Sequence, residues 1–322
     1  MKAIRIHRTG GPEVLKLEEM DVPEPGPGEI LLRHEAIGLN FIDTYHRSGL
    51  YPVELPAIPG LEGAGIVEAV GEGVETLKPG DRVAYGAGPL GAYAEYRVMP
   101  AGRVAKVPDG MDAETAAAAM LKGLTAWYLL RETHRVQPGE TVVFLPAAGG
   151  VGLIAGQWAK ALGARTIGVC SGSKAELARA HGYDHVIDYT TEDMATRVRE
   201  ITEGEGGPVV YDGVGAATFL PSLDCLRPRG LMVSFGNASG PVTGVDLGDL
   251  ASRGSLYVTR PILMHYVADD RDLARASKEL FDMILSGRIR ITVNQRYPLE
   301  EAARAHADLE SRATTGQTIL VP

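Results

Sequence analysis

Residues 141–189 constrain the fold of this chain more than any other stretch. A run rich in β-branched and aromatic residues at 141–145 leads into a glycine-rich turn at 147–152, a long apolar segment at 151–162 and a second apolar run at 165–170. This order predicts a strand, a tight turn, a buried helix and another strand. Because a helix connects the two strands, they should run parallel, as in a βαβ unit.

The glycine-rich turn is suited to bind an anion. Its backbone N–H groups and the positive end of the following helix would face a phosphate, and small residues let a pyrophosphate approach the backbone. Ala147, Gly149 and Gly152 occupy the three positions of the pattern G-x-G-x-x-G, so alanine replaces the first glycine. The flanking strand and helix favour a dinucleotide site. A tight turn needed only for helix packing would use the same residues.

The end of the second strand indicates which dinucleotide binds. An NAD site places an acidic residue about 20 residues after the turn, whereas an NADP site accommodates a 2′-phosphate. The chain has no acid there and reads Cys170-Ser171-Gly172-Ser173-Lys174. Two hydroxyls and a cation favour NADPH over NADH, unless Lys174 is only a solvated surface lysine.

Length, charge and cysteine content limit the remaining possibilities. A chain of 322 residues suits two domains, and a net charge of −9 argues against a nucleic-acid partner or an acidic membrane surface. No segment approaches the roughly 20 apolar residues of a membrane span. The first residues read as a strand rather than a signal peptide, so we expect a cytoplasmic location. Cys170 and Cys225 are the only cysteines, which excludes a disulfide framework and a four-thiolate zinc lobe.

Periodicity divides the rest of the chain into a β-rich part and an alternating part. Short runs between Gly and Pro signals up to residue 118 are typical of an antiparallel β domain. Strands and helices alternate over 141–235, which predicts a doubly wound parallel sheet. The other predicted strands cover 2–6, 15–21, 29–38, 63–70, 82–85, 92–98, 104–107, 256–259, 289–293 and 318–321, with helices over 112–132 (N-cap Asp112), 270–286 and 300–309 and a loop over 237–255.

Motifs outside the turn resemble one family. They are GGPEVL at 10–15, NFIDTY at 40–45, SGLY at 48–51, GDRV at 80–83, AAGGVG at 147–152 and SFGN at 234–237. Together they resemble the NADPH:quinone oxidoreductases, the zeta-crystallin-like, zinc-free branch of the medium-chain dehydrogenase/reductase superfamily. The similarity extends from the first residues to 310–313.

The resemblance implies an α/β protein with two domains. A GroES-like, β-rich catalytic domain would cover residues 1–118 and be completed by 265–322, and a Rossmann doubly wound parallel-sheet domain over 119–264 would bind NADPH. The active site would lie in the cleft between them. The family also implies a homodimer or a dimer of dimers, with Rossmann sheets joined edge to edge.

Zinc-dependent members of this superfamily carry a cysteine and a histidine where this chain has Asn40 and Leu61. Leucine cannot bind zinc, and the eight histidines show no ligand spacing. We therefore expect neither a catalytic nor a structural zinc. Glu62 remains from the family motif, and we expect it to form a structural ion pair or support a backbone turn rather than act in catalysis.

Reduction of a quinone needs no Lewis acid, whereas oxidation of an alcohol needs one or a strong proton acceptor. Quinones and conjugated enones are already electrophilic, so positioning of the nicotinamide and a donor for the developing oxyanion suffice. Asn40, Tyr45 and Tyr51 are the candidate catalytic residues, although both tyrosines could simply pack with a hydroxyl in water. No residue stands out as a general acid, and water could protonate the product.

The resemblance also implies the residues that contact NADPH and the substrate. Tyr51 would lie towards the quinone, and Arg312 could alternatively be a plain surface charge. The implied cofactor contacts are Asn40, Phe41, Asp43 and Tyr45 near the nicotinamide, Gly150 and Val151 at the pyrophosphate, Ser171, Gly172, Ser173, Lys174 and Tyr189 around the 2′-phosphate and adenosine, Val214, Phe235, Gly236, Asn237 and Ser239 along the ribose and nicotinamide, Arg312 from the C-terminal segment, and Tyr128 on the helix over 112–132.

Three functions remain open besides quinone reduction. A reductase of α,β-unsaturated carbonyls would use the same site. A non-catalytic NADPH-binding protein, as the crystallin role in this family suggests, would need only the cofactor residues. A zinc alcohol dehydrogenase is the least compatible with Asn40 and Leu61.

Overall fold

The computed structural model describes residues 1–322 and contains fifteen strands and ten α-helices. The strands are β1 Lys2–Arg5, β2 Lys16–Glu19, β3 Glu29–Gly38, β4 Glu62–Val70, β5 Arg82–Tyr85, β6 Tyr96–Pro100, β7 Ala105–Lys106, β8 Thr141–Leu145, β9 Arg165–Cys170, β10 His185–Asp188, β11 Gly207–Asp212, β12 Leu226–Ser234, β13 Tyr257–Thr259, β14 Val293–Pro298 and β15 Gln317–Val321. The helices are α1 Phe41–Ser48, α2 Ala113–Tyr128, α3 Gly150–Ala161, α4 Ala175–Ala180, α5 Met194–Ile201, α6 Phe219–Asp224, α7 Leu247–Ser252, α8 Leu263–Tyr266, α9 Asp270–Leu285 and α10 Ala302–Glu310. None of the helices combines the length and the apolar character that crossing a membrane requires.

The chain divides into two compact units. The first comprises Met1–Leu124, Val267–Leu285 and Ile291–Pro322, and the second comprises Thr125–Tyr266 with Ser286–Arg290. The domain limits expected from the sequence, 1–118 with 265–322 and 119–264, stay a prediction.

The first unit is built on a seven-stranded sheet in the order β14-β15-β3-β4-β5-β7, with β6 also paired to β3. All strand pairs within residues 1–118 are antiparallel, as expected, whereas β14 runs parallel to β15 at one edge of the sheet. The reason lies in the connection: α10 carries the chain from the end of β14 back to the start of β15, as a parallel pair requires. The core of this unit includes Ile30, Leu32, Val67, Val83 and Leu320.

The second unit contains a six-stranded parallel sheet in the order β10-β9-β8-β11-β12-β13. Numbered within the unit, this order is 3-2-1-4-5-6, that of a Rossmann sheet, which confirms the predicted fold class. The strand order reverses between β8 and β11. In such sheets, ligands bind outside the carboxyl ends of the strands at this switch point.

Three predictions of local structure were wrong. Residues 289–293 do not form a strand, because the Arg290 N–H and carbonyl are bonded to the Gln157 side chain, and the ladder begins at Val293. In the predicted strand over 92–98, the Tyr93 N–H is donated to the Pro59 carbonyl, and regular pairing begins only with β6. The predicted loop over 237–255 contains α7. By contrast, the Asp112 carboxylate caps α2, as expected.

Candidate functional site

Asn40 lies between β3 and α1 and is held at both its backbone and its side chain. Its backbone N–H is donated to Asp43 Oδ2 at 2.9 Å, and its Nδ2 is donated to Glu62 Oε2 at 2.8 Å. Asn40 is only 4% exposed, and its Oδ1 is buried without a hydrogen-bond partner. The local structure therefore leaves one polar atom of Asn40 available, and that atom is an acceptor.

Glu62 orients the Asn40 amide from the start of β4. It is fully buried, and its carboxylate accepts from Asn40, from Lys122 Nζ at 2.8 Å and from the Leu121 N–H at 2.7 Å. Gly38 pairs with Glu62 across the sheet, and a Cβ there would collide with this carboxylate. The expectation that Glu62 forms a structural ion pair is confirmed. Its partner Lys122 was not anticipated, because no sequence pattern connects two residues sixty positions apart.

Asp43 is a second buried acid at the same helix. Its Oδ2 accepts from the Asn40 N–H and from the Tyr93 hydroxyl at 2.9 Å, whereas its Oδ1 is buried without a hydrogen-bond partner. Burial raises the pKa of Asp43 to about 7, although Asn40, Tyr93 and Lys122 all act to lower it. The carboxyl group can therefore gain or lose a proton near neutral pH.

Three aromatic residues cluster around α1. The Tyr45 and Tyr51 rings lie 5.2 Å apart in an edge-on arrangement, and Phe41 lies 6.2 Å from Tyr45. The helix ends at Gly49, whose φ of 85° lets the chain turn back, and the Tyr51 N–H is then donated to the Tyr45 carbonyl at 3.1 Å. The structure thus brings the sequence-predicted tyrosines together on one side of α1.

The glycine-rich turn of the second unit leads directly into α3. Gly150 opens the helix and Val151 follows in its first turn. A Cβ on Gly152 would collide with the backbone carbonyl oxygens of Pro146 and Ala147. The third position of the pattern must therefore be glycine for α3 to pack this closely on the end of β8.

The alanine in the first position of the pattern has a specific complement. Ala147 is fully buried, and its N–H is donated to the Val169 carbonyl at 2.9 Å. A Cβ on Gly168 would lie 2.8 Å from the Ala147 methyl group, so the glycine in β9 provides the space that the alanine fills. The departure from the usual pattern is thus compensated on the neighbouring strand.

The residues predicted for the adenosine end lie at adjacent strand ends. Cys170 and Asp188, the last residues of β9 and β10, are register partners. The turn over residues 171–174 follows the first, and Tyr189, which is 51% exposed, follows the second. The Tyr189 N–H is donated to the Cys170 carbonyl at 3.2 Å, so the turn and the tyrosine share one edge of the sheet.

Asp188 is an acid at this edge that sequence reasoning missed. Thr190 donates to it from its N–H at 3.0 Å and from its hydroxyl at 2.7 Å. These two bonds, with the Gly172 N–H, hold the pKa of Asp188 below its usual value. Its carboxylate fixes the turn that carries Lys174. Because it lies one strand further along, the spacing rule applied to β9 could not identify it.

Two loops cross closely at the ends of β11 and β12. A Cβ on Gly236 would collide with the Gly213 carbonyl oxygen, and the Phe235 ring covers Gly213. The Ser239 hydroxyl and N–H are both donated to the Val214 carbonyl, at 2.8 and 2.7 Å. The residues predicted along the ribose and nicotinamide therefore lie in contact with one another.

Asp212 organises this crossing and was also missed. It is fully buried at the end of β11, where one carboxylate oxygen accepts from the Val214 and Gly215 N–H groups at 2.7 and 3.0 Å. The other oxygen accepts from the Thr218 and Ser222 hydroxyls at 2.7 and 2.8 Å. The sequence signal was an aspartate between a buried strand and a Gly-x-Gly segment.

Two predicted residues remain: Tyr128 lies in the second unit and Arg312 lies in the first. Tyr128 is buried and stacks on Tyr266 with ring centres 4.6 Å apart. Arg312 follows α10 with a φ of 62° and is exposed. The first unit thus carries Asn40, Phe41, Asp43, Tyr45, Tyr51 and Arg312, and the second carries Tyr128, Gly150, Val151, Ser171, Gly172, Ser173, Lys174, Tyr189, Val214, Phe235, Gly236, Asn237 and Ser239.

No group of three or more His, Cys, Asp and Glu side chains is placed to hold a metal ion. Burial lowers the pKa of His34 and of His306 to about 3. Both imidazoles are therefore neutral in the folded protein, and both are engaged in buried hydrogen bonds.

Two family models match this chain, one in each of its two parts. The alcohol dehydrogenase GroES-like domain matches residues 26–109, and the family described as zinc-binding dehydrogenase matches residues 150–278. A quinone oxidoreductase from Pseudomonas aeruginosa is 58% identical over 100% of this chain and 99% of its own length. A 2-haloacrylate reductase from Burkholderia is 47% identical, with 98% of each chain covered. The crystal structure of Escherichia coli quinone oxidoreductase complexed with NADPH is 52% identical, covers 100% of both chains and superposes with a TM-score of 0.98.

Proposed function

The chain belongs to the quinone oxidoreductase family of the medium-chain dehydrogenase/reductase superfamily, and we propose that it reduces quinones with NADPH and without zinc. The comparisons confirm the family resemblance that the motifs indicated. The observation that carries the proposal is the close-packed turn at Gly152, beside strand ends that present hydroxyls and Lys174. This is the arrangement that a dinucleotide with a 2′-phosphate requires.

The chain offers fitting groups for each part of NADPH. The backbone at Gly150 and Val151 would hold the pyrophosphate, and residues 171–174 with Tyr189 would hold the adenosine 2′-phosphate. Asn40, Asp43 and Tyr45 would lie at the nicotinamide end. NADPH supplies a hydride to the electrophilic acceptor. The protein supplies position and hydrogen bonds.

The geometry of Asn40 refines its role. Its amide nitrogen donates to Glu62, and the unpartnered atom is the acceptor Oδ1. Asn40 is therefore better suited to accept a hydrogen bond, as from a carboxamide N–H, than to donate one to a developing oxyanion. The hydroxyls of Tyr45 and Tyr51 are then the candidate donors for the substrate oxygen.

A titration with both nucleotides, followed by addition of a quinone, tests the proposal. We expect tight, NADPH-selective binding to metal-free protein and oxidation of NADPH when 1,2-naphthoquinone is added. Binding without turnover would support the proposed cofactor site and contradict the proposed reaction. Stoichiometric zinc in the active protein would contradict zinc independence.

Replacing Lys174 with alanine should weaken the binding of NADPH by about 10–100-fold, because a hydrogen bond between charged groups contributes about 1.5–3 kcal/mol. NADH lacks the 2′-phosphate and should bind as before. Calorimetric titration with both nucleotides measures the difference. Lys278→Ala, at an exposed pair with Asp282, is the matched loss of charge and should change neither affinity. Equal loss for both nucleotides would show that Lys174 does not bind the 2′-phosphate.

Tyr51→Phe should lower quinone turnover by about 10-fold or more, because a donor to the developing oxyanion contributes about 1.4 kcal/mol or more. The ring contact with Tyr45 is retained in this variant, so the NADPH dissociation constant should stay within about twofold. Steady-state kinetics and a binding titration separate the two effects. A lost cofactor site would contradict the placement of Tyr51 at the quinone.

A reductase of α,β-unsaturated carbonyls is the second candidate. The observation that favours it is the 47% identity to a 2-haloacrylate reductase. Both reactions deliver a hydride to a conjugated acceptor, so the same residues would serve. Parallel rates with quinones and with enones decide between them. Turnover of either class excludes a purely non-catalytic NADPH-binding protein.

We also propose that the protein is cytoplasmic. We further propose that two copies of the chain associate through β13. This strand pairs only with β12, and its residues Tyr257 and Val258 are 62% and 39% exposed. An apolar sheet edge of this kind favours pairing with another strand. Sedimentation equilibrium measures whether the species is a monomer, a dimer or a dimer of dimers.

A further inference from the structure

A continuous row of buried hydrogen bonds connects α1 to α10. The Tyr93 hydroxyl lies 2.9 Å from Asp43 Oδ2 and 2.9 Å from His306 Nε2. The other ring nitrogen, His306 Nδ1, lies 3.1 Å from Arg47 Nη1. Arg47 also donates two hydrogen bonds to Glu310, at 3.0 and 2.6 Å. The proposed function uses only Asp43 among these residues.

The direction of every hydrogen bond in this row follows from Arg47, the residue at the end far from Asp43. A guanidinium has only donors, so Arg47 must donate to His306 Nδ1. Burial, with the nearby Arg47 charge, lowers the pKa of His306 to about 3, so the ring is neutral and carries its proton on Nε2. His306 therefore donates to the Tyr93 oxygen, and Tyr93 donates to Asp43. All three bonds point towards the carboxylate, and each polarises the next.

This row cannot carry protons inward from the surface. Arg47 does not release a proton in proteins, and it occupies the only acceptor nitrogen of His306. The row instead fixes the position and the charge of Asp43. Fully buried acids without such donors favour the protonated form.

Asp43 in turn controls the first turn of α1, since its Oδ2 accepts the Asn40 N–H. The groups that face Asp43 come from several elements: Tyr93 from the loop before β6, Lys122 from α2 and Glu62 from β4. Tyr93 and Lys122 favour the ionised carboxylate, whereas Glu62 and burial oppose it. The Tyr93 hydroxyl is therefore one of three groups, with the Asn40 N–H and the Lys122 ammonium, that favour the ionised form of Asp43.

We propose that Tyr93, His306 and Arg47 are positioning residues which, through Asp43, hold Asn40 in the conformation that receives the nicotinamide end of NADPH. The inference rests on the proposed function for the role of Asn40. It assigns a function to a tyrosine and a histidine that lie more than 50 residues from Asn40 in the sequence.

In the wild-type protein, the ionisation of Asp43 should affect two quantities as the pH changes: the NADPH affinity and the free energy of unfolding. An ionised acceptor forms hydrogen bonds about twice as strong as a neutral one, so NADPH affinity should fall as the pH drops through about 7. The pKa of Asp43 is raised from 3.8 to about 7 on folding. Its contribution to stability is therefore fully present below pH 3.8 and is lost as the pH rises towards 7.

Tyr93→Phe removes the hydroxyl that favours the carboxylate. The pKa of Asp43 should rise by about one unit, which reduces its ionised fraction at pH 7 from about one half to about one tenth. We expect NADPH to bind about fivefold more weakly at pH 7, and the pH midpoint of binding to move up by about one unit. Hydrogen exchange at the Asn40 amide should also become faster.

Tyr85→Phe is the matched control. The Tyr85 hydroxyl is also buried and lies 2.7 Å from a buried histidine, His34, whose other ring nitrogen meets the Ala94 carbonyl. Neither residue of this pair forms a hydrogen bond with Asp43. Its variant should lose stability similarly but keep the pH midpoint of NADPH binding and the exchange rate at Asn40.

His306 provides a second variant if Tyr93→Phe does not fold. His306→Gln retains a donor for Tyr93 and should bind NADPH nearly as the wild type does. His306→Leu keeps the Tyr93 hydroxyl but removes the donor that polarises it, so it should shift the pH midpoint in the same direction as Tyr93→Phe and by less. An unchanged midpoint and unchanged Asn40 exchange in folded Tyr93→Phe or His306→Leu would overturn the inference. A wild-type protein that binds no NADPH would instead refute the proposed function, and Asn40 exchange would still test the row.

Discussion

Replacing Glu62 with glutamine is expected to lower the free energy of unfolding by about 3–5 kcal/mol, because the variant leaves a buried ammonium without its counter-ion. Lys122 is 7% exposed at its side chain, and Glu62 is its ion-pair partner at 2.8 Å. Glutamine has nearly the same size and keeps an acceptor oxygen for the Leu121 N–H. The loss would therefore report charge rather than packing.

Glu68→Gln is the matched control for this variant. Glu68 lies on the same strand, β4, and pairs with Arg33, but both side chains are about two-fifths exposed, at 39% and 40%. Exposed pairs contribute about 0–1 kcal/mol, so the same chemical change should cost no more than about 1 kcal/mol there. Denaturant unfolding of both variants at pH 7 gives the comparison.

A double variant separates the charge from the rest of the site. Lys122→Met removes the unpaired ammonium, so Glu62→Gln with Lys122→Met should be more stable than Glu62→Gln alone. A double variant as unstable as the sum of its parts would show that the two residues do not act as a pair. NADPH titration of the folded double variant would then report whether the Asn40 amide, which also binds Glu62, keeps its orientation.

The alternation of strands and helices was predictable because each element shows its own periodicity. β8, β9 and the helix between them follow from local residue patterns, and the alternation predicts a doubly wound parallel sheet. The strand order within that sheet was not predicted, because more than one order satisfies the same rules for parallel connections. The glycine-rich turn and residues 171–174 were locatable for the same reason, since they follow the ends of β8 and β9, whereas the other cofactor residues of the second unit were implied by the family resemblance. Their roles stay predictions.

The buried polar network was not predictable, because its partners are distant in sequence. Asp43, Tyr93 and His306 meet only when α1, the loop before β6 and α10 pack together. Each of these residues alone is unremarkable in its local pattern. The failed strand over 289–293 has the same origin: side-chain bonds from Gln157 decide a backbone that periodicity had assigned to a ladder.

Gly152→Ala is expected both to destabilise the protein and to weaken its binding of NADPH. The added methyl group would collide with the Pro146 and Ala147 carbonyl oxygens, which belong to backbone and cannot rotate away. Overpacking of this kind costs about 1–3 kcal/mol. Alanine is otherwise favoured over glycine inside a helix by about 1 kcal/mol, so helix propensity alone would predict a gain in stability. The sign of the change therefore tests the close packing directly.

Gly149→Ala separates folding from cofactor binding. Its nearest neighbour would be the Pro146 ring at 3.2 Å, and its φ of −79° suits any residue, so the stability should change by less than about 1 kcal/mol. Gly149→Ala places a methyl group where the pyrophosphate must approach, whereas Gly152→Ala pushes the start of α3, whose backbone N–H groups would hold the pyrophosphate, away from β8. Each should therefore raise the NADPH dissociation constant by about 10–100-fold. If Gly152→Ala were as stable as the wild type and bound NADPH normally, α3 could move away from β8 at little cost. The turn would then not be the feature that selects a dinucleotide.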